Sequence, residues 1–367
     1  MFRWIKKANR SKNYFLKRIK LKLKLNLLSM IAAQGRTSRT RHGSGTNHLI
    51  IPFIGKGIGD AIVIGGVIET LVRNNFQVSV IADKRTHFLF KEWRNLEALY
   101  FYEPNNKKML IKVLRELPPF VFVDSHEITH SNVETFNLIR LIKPHKTIGF
   151  TRKYRIYDEV INISCPLSHI STRYIDFLKH LGISAQNYDY TVIIPDDDVQ
   201  KAKDFLKKTT DKKTVAFIPY GSVSERFFST AQIEAITSHM AKYKDTFHLI
   251  ILGEQHKIKP IPDADHVTKS SLPSFFSAAQ IIKESALVIS PDTSFVHVSR
   301  AFKKKLICLY PFKMLVAQAD NADVWGPNYE SAIQVRLKER RVMDTDVRPI
   351  LNIIDEQLKS IADNSSR

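Results

Sequence analysis

Short apolar runs alternate with amphipathic stretches along most of the chain. From residue 48 onward, "HLIIPFI", "QVSVIAD", "ALYFYE", "FVFVD" and "KTIGF" have strand character, and segments with helical spacing lie between them. After residue 195 the pattern restarts with "TVAFIPY", "FHLIILG", "HVTK", "ALVIS" and "LICLY". Such alternation is typical of parallel sheets covered by helices on both faces. The sequence therefore predicts an α/β protein with two doubly wound Rossmann-like domains, residues 48–195 and 196–367.

Several helices are predicted by the same pattern. "GDAIVIGGVIETLVRN" has helical spacing, further helices are expected from about Ser229, Pro273 and Thr293, and "DVRPILNIIDEQLKSIAD" is an amphipathic terminal helix. Ligands of doubly wound folds lie beyond the carboxyl ends of the strands. With two such domains, we expect the functional site in a cleft that both domains face.

Residues 1–47 differ from this pattern. Residues 1–48 contain 13 of the 56 Lys and Arg residues and no Asp or Glu, which leaves 43 basic against 36 acidic residues in the rest of the chain. Ile19, Leu23, Leu27 and Ile31 recur at helical spacing among the lysines, and "GRTSRTRHGSGTNH" is a predicted linker. We expect a basic amphipathic arm outside the catalytic fold. An anionic membrane surface bound through residues 1–34 and a solvated tail both fit this composition.

The remaining composition excludes several classes of protein. At 367 residues and 44% apolar content, the chain can form two cores and is not a disordered protein. It has two cysteines far apart in sequence, Cys165 and Cys308, which argues against a disulfide framework. No apolar run reaches the roughly 18–20 residues of a membrane span. No basic and aromatic face in the two domains points to nucleic acid, so no such partner is expected.

A polar turn follows the strand "ALVIS". Asp292, Thr293 and Ser294 are all good helix caps, and the free backbone N–H groups of a helix start can bind a diphosphate. His297 lies one turn inside this helix. Plain capping with a core histidine is the alternative interpretation.

A second candidate follows the first predicted strand of the chain. In "IGKGIGDAIV", Asp60 comes after three glycines at a strand end, where a carboxylate can act as a general base. The glycines fit neither the dinucleotide fingerprint nor the P-loop. A role for Asp60 at the helix start alone is equally compatible with the sequence.

A third pattern suggests a different chemistry. "HEITH", His126 to His130, formally matches the zinc-hydrolase motif, with Glu127 as its acid. A strand ends immediately before it, which places His126 in a turn, and no third-ligand extension follows. A zinc-dependent hydrolase therefore remains an alternative function.

Four segments together resemble glycosyltransferase family nine, the lipopolysaccharide heptosyltransferases. They are "IGKGIGDAIVIGGVIETL", "FVFVDSHEITHSNVETFNLIRLIKPHKTIGFTR", "FIPYGSVSERFFSTAQIEAI" and "SLPSFFSAAQIIKESALVISPDTSFVHVSRAFKKKLICLYPF" with the later "WGP". The resemblance covers about residues 48–360, leaves the arm outside, and departs from the family where Ser294 stands for its usual Gly. It implies a GT-B type fold, Asp60 as catalytic base, and an acceptor side near Gly59, His126 and Glu127. The donor-binding residues that it implies are Arg226, Asp292, Thr293, Ser294 and His297.

The function implied by this resemblance is an inverting, metal-independent glycosyltransferase. It would move a heptose or related sugar from a nucleotide sugar, such as ADP-heptose, to a lipid-linked acceptor of the lipopolysaccharide or lipooligosaccharide type. We expect no cofactor and no metal, and a peripheral location on the cytoplasmic face of the bacterial inner membrane. A non-catalytic lipid- or nucleic-acid-binding protein with the same fold is a second alternative.

Overall fold

The computed structural model describes residues 19–33, 46–125, 133–150, 154–165, 167–315 and 319–363. They form two compact units. Unit 1 comprises the described residues of Met1–Lys56, Ile68–Pro166 and Asp176–Ala185, and unit 2 those of Gly57–Val67, Leu167–Ile175 and Gln186–Arg367.

The first parallel sheet lies in unit 1 and contains six strands. These are β1 (His48–Phe53), β2 (Gln77–Ala82), β3 (Ala98–Phe101), β4 (Val121–Asp124), β5 (Lys146–Gly149) and β6 (Glu159–Val160). The helices in this part of the chain are α1 (residues 19–33), α2 (Ile58–Arg73), α3 (His87–Phe90), α4 (Lys107–Glu116), α5 (Val133–Ile142) and α6 (Ile170–His180).

The second parallel sheet lies in unit 2 and also contains six strands. These are β7 (Lys213–Phe217), β8 (Phe247–Ile251), β9 (Val267–Lys269), β10 (Leu287–Pro291), β11 (Leu306–Tyr310) and β12 (Ala332–Arg336). The helices along this half are α7 (Asp196–Thr209), α8 (Thr230–Met240), α9 (Gln255–Ile258), α10 (Phe275–Glu284), α11 (Ser294–Ala301), α12 (Asn321–Trp325) and α13 (Arg348–Asp363).

Both sheets have the doubly wound strand order. The first is β3-β2-β1-β4-β5-β6, and the second, β9-β8-β7-β10-β11-β12, repeats it strand for strand. All strand pairs are parallel, as the near-continuous apolar runs indicated. The predicted fold class, two doubly wound Rossmann-like domains, is confirmed. The order reverses between β1 and β4 in one sheet and between β7 and β10 in the other, and ligands of such folds bind at this switch point.

Three predicted helix starts are confirmed by their caps. Ser229 begins α8 with a full capping box, in which its side chain and that of Gln232 bond each other's backbone N–H groups. The Ser274 hydroxyl accepts from the Phe276 N–H at the start of α10. Thr293 caps α11, which begins at Ser294. Local side-chain chemistry thus decides where these helices begin, and the sequence contains that information.

The prediction that the arm lies outside the catalytic fold is wrong for α1. Leu25 and Ala32 on this helix are each only 3% exposed, and they belong to the hydrophobic core of unit 1 together with Ile50 and Phe122. Leu25 lies two residues, or about 200° of helical rotation, from the apolar stripe that the sequence analysis singled out. Because lysines alternate with leucines in "KLKLKL", the sequence pattern did not show this second apolar face.

Among the described residues, no helix combines the length and the apolar character needed to cross a membrane.

Candidate active site

The switch point of the second sheet brings Arg226 and Asp292 together. Arg226 lies in the loop after β7, and Asp292 directly follows β10, the neighbouring strand. The Arg226 Nη2 atom is 2.6 Å from Asp292 Oδ2, and the two side chains are 22% and 8% exposed. Two residues far apart in sequence therefore form one ion pair at the carboxyl edge of the sheet.

A tight loop holds Arg226 in this position. The Gly221 N–H donates to the Arg226 carbonyl at 3.1 Å, and beside it Tyr220 and Phe227 form an isolated antiparallel β-bridge. A Cβ atom on Gly221 would lie 2.7 Å from the Arg226 Cβ, so only glycine allows the two chain segments to approach this closely. The ion pair uses Nη2, and the other guanidinium nitrogens make no hydrogen bond to the described residues.

Asp292 is held from two sides at a single oxygen. Besides Arg226, the Asn321 amide donates to Asp292 Oδ2 at 2.9 Å. Burial raises the pKa of Asp292 above its usual value, while Arg226 and Asn321 oppose that rise. Within the described chain, Oδ1 accepts no hydrogen bond, so it can accept one from a ligand hydroxyl.

Thr293 connects this carboxylate to the start of α11. Its hydroxyl accepts from the Phe295 N–H at 3.2 Å and lies 2.9 Å from the Ser290 hydroxyl. The first N–H groups of a helix have no intrahelical partner and lie at its positive end. Ser294, the first residue of α11, is half-buried at this position.

Asp60 lies in the first turn of α2. One of its oxygens, Oδ2, accepts the Gly57 N–H at 2.9 Å. In a capping box, the acidic residue in the first turn makes this same contact. Asp60 therefore stabilises the start of α2, as the helix-start interpretation predicts. No described residue donates a hydrogen bond to Oδ1, and the residue is half-buried. One carboxylate oxygen thus remains for a substrate.

Gly59 brings the start of α2 against the start of α11. A Cβ atom on Gly59 would lie 2.8 Å from His297 Cδ2 and 3.6 Å from the Ser294 Cα. Because Gly59 has no side chain, Asp60 is placed beside the helix that begins at the Asp292–Thr293 turn. All these residues belong to unit 2.

His297 fills the space behind this contact. Its side chain is buried, and its ring lies 5.7 Å from the Tyr190 ring and 6.3 Å from the Trp325 ring. Burial, together with nearby His169 and Arg300, lowers the pKa of His297 to about 3. The imidazole is therefore neutral, and its Nδ1 atom has no hydrogen-bond partner among the described residues. The alternative interpretation of His297 as a core histidine is therefore correct.

Several residues that support the site were not predicted from the sequence. Arg300 donates from Nη1 to the Pro327 carbonyl at 2.9 Å and stacks 4.1 Å from the centre of the Tyr190 ring. His169 Nε2 lies 2.9 Å from the Gly326 carbonyl, and burial lowers the pKa of His169 to about 4. A neutral His169 must donate through Nε2 to bond this carbonyl. These contacts join segments that are distant along the chain, so no local pattern could have marked them.

Three residues of the sequence analysis lie outside the described residues, namely His126, Glu127 and His130. Ser125 directly follows β4, a strand at the switch point of the first sheet. There the Lys56 ammonium group donates to the Ser125 carbonyl at 2.8 Å. In the ranges that the structure describes, no three His, Cys, Asp or Glu side chains are grouped closely enough to hold a metal ion.

Known proteins similar to this chain share its fold. The chain is 23% identical over 341 residues to the Escherichia coli K12 protein described as "Putative lipopolysaccharide heptosyltransferase 4". The match covers 91% of this chain and 93% of that protein. Among solved structures, a glycosyl transferase family 9 protein from Veillonella parvula superimposes with a TM-score of 0.68 at 14% identity, over 87% of this chain and all of the other.

A second solved structure is that of E. coli ADP-heptose lipopolysaccharide heptosyltransferase II. Its TM-score is 0.64 at 12% identity, and the match covers 85% of this chain and 99% of that one. No family model matches the chain. The relative that matches most of the chain and the shared GT-B type fold together confirm the resemblance to glycosyltransferase family nine that the sequence motifs indicated.

Proposed function

We propose that this protein is an inverting glycosyltransferase that moves a heptose from ADP-heptose to a lipid-linked acceptor of the lipopolysaccharide type. The similar proteins described above support the reaction class. The observation that carries the proposal is the contact of Gly59 with Ser294 and His297, which sets a carboxylate beside a site built for a diphosphate.

The chemistry follows from this arrangement. Asp60 Oδ1 takes the proton of the acceptor hydroxyl as its oxygen attacks the anomeric carbon of the sugar. The bond between that carbon and the diphosphate breaks in the same displacement, so the configuration is inverted. The departing diphosphate carries the bonding electron pair away, and Arg226 and the first N–H groups of α11 stabilise its charge.

The remaining site residues have binding roles in this proposal. Asp292 is an anion, so its free Oδ1 accepts from a sugar hydroxyl rather than contacting phosphate. Ser294 presents a backbone N–H to the diphosphate, although its side chain narrows the approach that the family's usual glycine leaves open. The family resemblance also assigns His126 and Glu127 to the acceptor side.

Binding and transfer assays with nucleotide sugars test the proposal directly. A thermal-shift panel of nucleoside diphosphates and their sugars should show the largest stabilisation with ADP-heptose, since a ligand that binds only the folded state raises its melting temperature. Radiolabelled heptose should then move to a delipidated lipopolysaccharide core. If no nucleotide binds, the alternative of a non-catalytic lipid-binding protein gains support.

Transfer should not require a metal ion, because Arg226 and the helix start supply the positive charge that a metal would otherwise provide. Treatment of the protein with EDTA should leave the transfer rate unchanged. Stoichiometric zinc in the purified protein, lost together with activity, would instead favour a hydrolase built on His126, Glu127 and His130.

We also propose that α1 binds the anionic inner face of the cytoplasmic membrane. Leu23, Leu27 and Met30 lie on the side of α1 opposite Leu25 and are 63%, 59% and 59% exposed. The exposed Lys20 and Lys24 adjoin this apolar stripe. A helix with one apolar face in a core and another in solvent, lined by lysines, fits an interface with anionic lipids.

Replacing the stripe should weaken membrane binding without unfolding the protein. Leu23→Gln with Leu27→Gln should lower affinity for phosphatidylglycerol vesicles more than about tenfold, since each inserted leucine contributes roughly 1.5–3 kcal/mol. Vesicle sedimentation measures this change. Met109→Gln is the matched control, because Met109 is 64% exposed on α4 of the same unit. Equal vesicle binding by both variants would contradict the role of α1.

Point variants are preferable to deletion of residues 1–47 in this experiment. Deletion would remove Leu25 and Ala32 from the core of unit 1. Loss of a buried leucine side chain costs about 2–5 kcal/mol. A truncated protein could therefore lose vesicle binding only because it is destabilised.

A further inference from the structure

One side chain bonds directly to the backbone of helix α2, which is continuous from Ile58 to Arg73. In a regular helix, the Val67 N–H donates to the Val63 carbonyl. The Tyr188 hydroxyl bonds both of these groups, since it accepts from the Val67 N–H at 3.0 Å and donates to the Val63 carbonyl at 2.5 Å. Tyr188 is buried, and burial raises its pKa well above the usual value, so the hydroxyl keeps the proton that it donates.

A glycine makes this close contact possible. A Cβ atom on Gly66 would lie 2.0 Å from the Asp189 carbonyl oxygen and 3.0 Å from the Tyr188 Cζ atom. The backbone of residues 188–189 therefore lies directly against α2, at a position where any side chain would exclude it. The first half of α2, through Val67, belongs to unit 2 together with these residues.

The same segment is tied to α11. The Arg300 Nη2 atom, near the end of α11, donates to the Tyr188 carbonyl at 3.1 Å. One turn earlier in α11, His297 lies against Gly59. The first half of α2 is thus fixed to α11 twice, directly through Gly59 and indirectly through Tyr188 and Arg300. Asp60 lies between these two points.

We propose that Tyr188 is a positioning residue for the catalytic base. By bonding both backbone groups of the Val63–Val67 rung, its hydroxyl fixes the N-terminal part of α2, and with it Asp60 Oδ1, relative to the Asp292–Thr293 turn. This role rests on the proposed function, because Tyr188 acts through Asp60 and touches neither substrate. Donor binding depends on Arg226 and α11 and is independent of this rung.

Tyr188→Phe tests the role by removing only the hydroxyl. Without the hydroxyl, the Val63 carbonyl and the Val67 N–H lose their link to residue 188, so the N-terminal part of α2 is held less firmly. Turnover should fall at least tenfold, while the donor KM and the Kd for ADP stay within twofold of wild type. Tyr243→Phe is the matched control, since its hydroxyl donates to Asp355 at 2.6 Å on α13, and its turnover should be unchanged.

A double-mutant cycle separates positioning from plain stability. If Tyr188 acts through the base, adding Tyr188→Phe to Asp60→Asn should cause no further loss of turnover. A purely structural role would lower the melting temperature and reduce turnover by the same factor in both backgrounds. That result, or full turnover of Tyr188→Phe beside an active wild-type protein, would overturn the positioning role alone. A wild-type protein inactive with every nucleotide sugar would overturn the proposed function instead.

Discussion

Asp60→Asn is expected to lower turnover at least about a hundredfold while leaving donor affinity nearly unchanged. The amide oxygen can still accept the Gly57 N–H, which in wild type donates to Asp60 Oδ2 at 2.9 Å. The start of α2 should therefore stay intact. The other position becomes an NH₂ group, which cannot take a proton from the acceptor hydroxyl.

The measurements are steady-state transfer kinetics and calorimetric titration with ADP. Asp83→Asn provides a matched control, because Asp83 Oδ2 likewise accepts a glycine N–H, that of Gly55, at 2.8 Å. Its turnover should remain within about threefold of wild type, as for a residue outside the chemistry. If Asp60→Asn turned over as fast as this control, Asp60 would be a helix-start residue and no more.

Arg226→Ala is expected to weaken ADP binding by about 1.5–3 kcal/mol, or roughly 10–150-fold in Kd. The same change leaves Asp292 buried with Asn321 as its remaining hydrogen-bond donor. An uncompensated buried charge destabilises a fold, so the melting temperature should fall as well. Calorimetry and thermal unfolding record the two effects separately.

The double variant Arg226→Ala with Asp292→Asn distinguishes the two effects. Removing the carboxylate removes the unpaired charge, so stability should recover while ADP affinity stays low. Loss of Arg226 also raises the folded-state pKa of Asp292 further. The free energy of unfolding of Arg226→Ala should therefore fall as pH rises through that pKa, and the variant should be less destabilised at acidic pH, where Asp292 is protonated. Unchanged ADP affinity in either variant would place the diphosphate elsewhere.

Asp292→Ala adds a comparison between ligands. The free Oδ1 atom is proposed to bind a sugar hydroxyl, so this variant should weaken ADP-heptose binding more than ADP binding. An equal loss for both ligands would assign Asp292 to the support of Arg226 alone.

The sequence by itself determined the features that depend on residues close together in the chain, namely most strands and several helix starts. Apolar runs fixed most strands, and the Ser229, Ser274 and Thr293 hydroxyls fixed helix starts, because a cap bonds backbone groups two or three residues away. The short edge strands β6 and β12 went unpredicted, since both are partly exposed and lack a long apolar run. Asp60 and the Asp292–Thr293 turn were likewise visible in sequence as polar groups at strand ends.

Only the tertiary structure decided which of these groups meet. The strand order set β7 beside β10 and so paired Arg226 with Asp292, although 65 residues separate them. In sequence, Gly59 belonged to the glycine-rich turn before Asp60 and Gly66 to a predicted helix, and only the structure shows the chain segments that pack on them. The buried face of α1 was hidden for the same reason, because burial depends on which surface the helix meets. Such contacts join distant parts of the chain through packing, and local pattern does not encode the choice of packing partner.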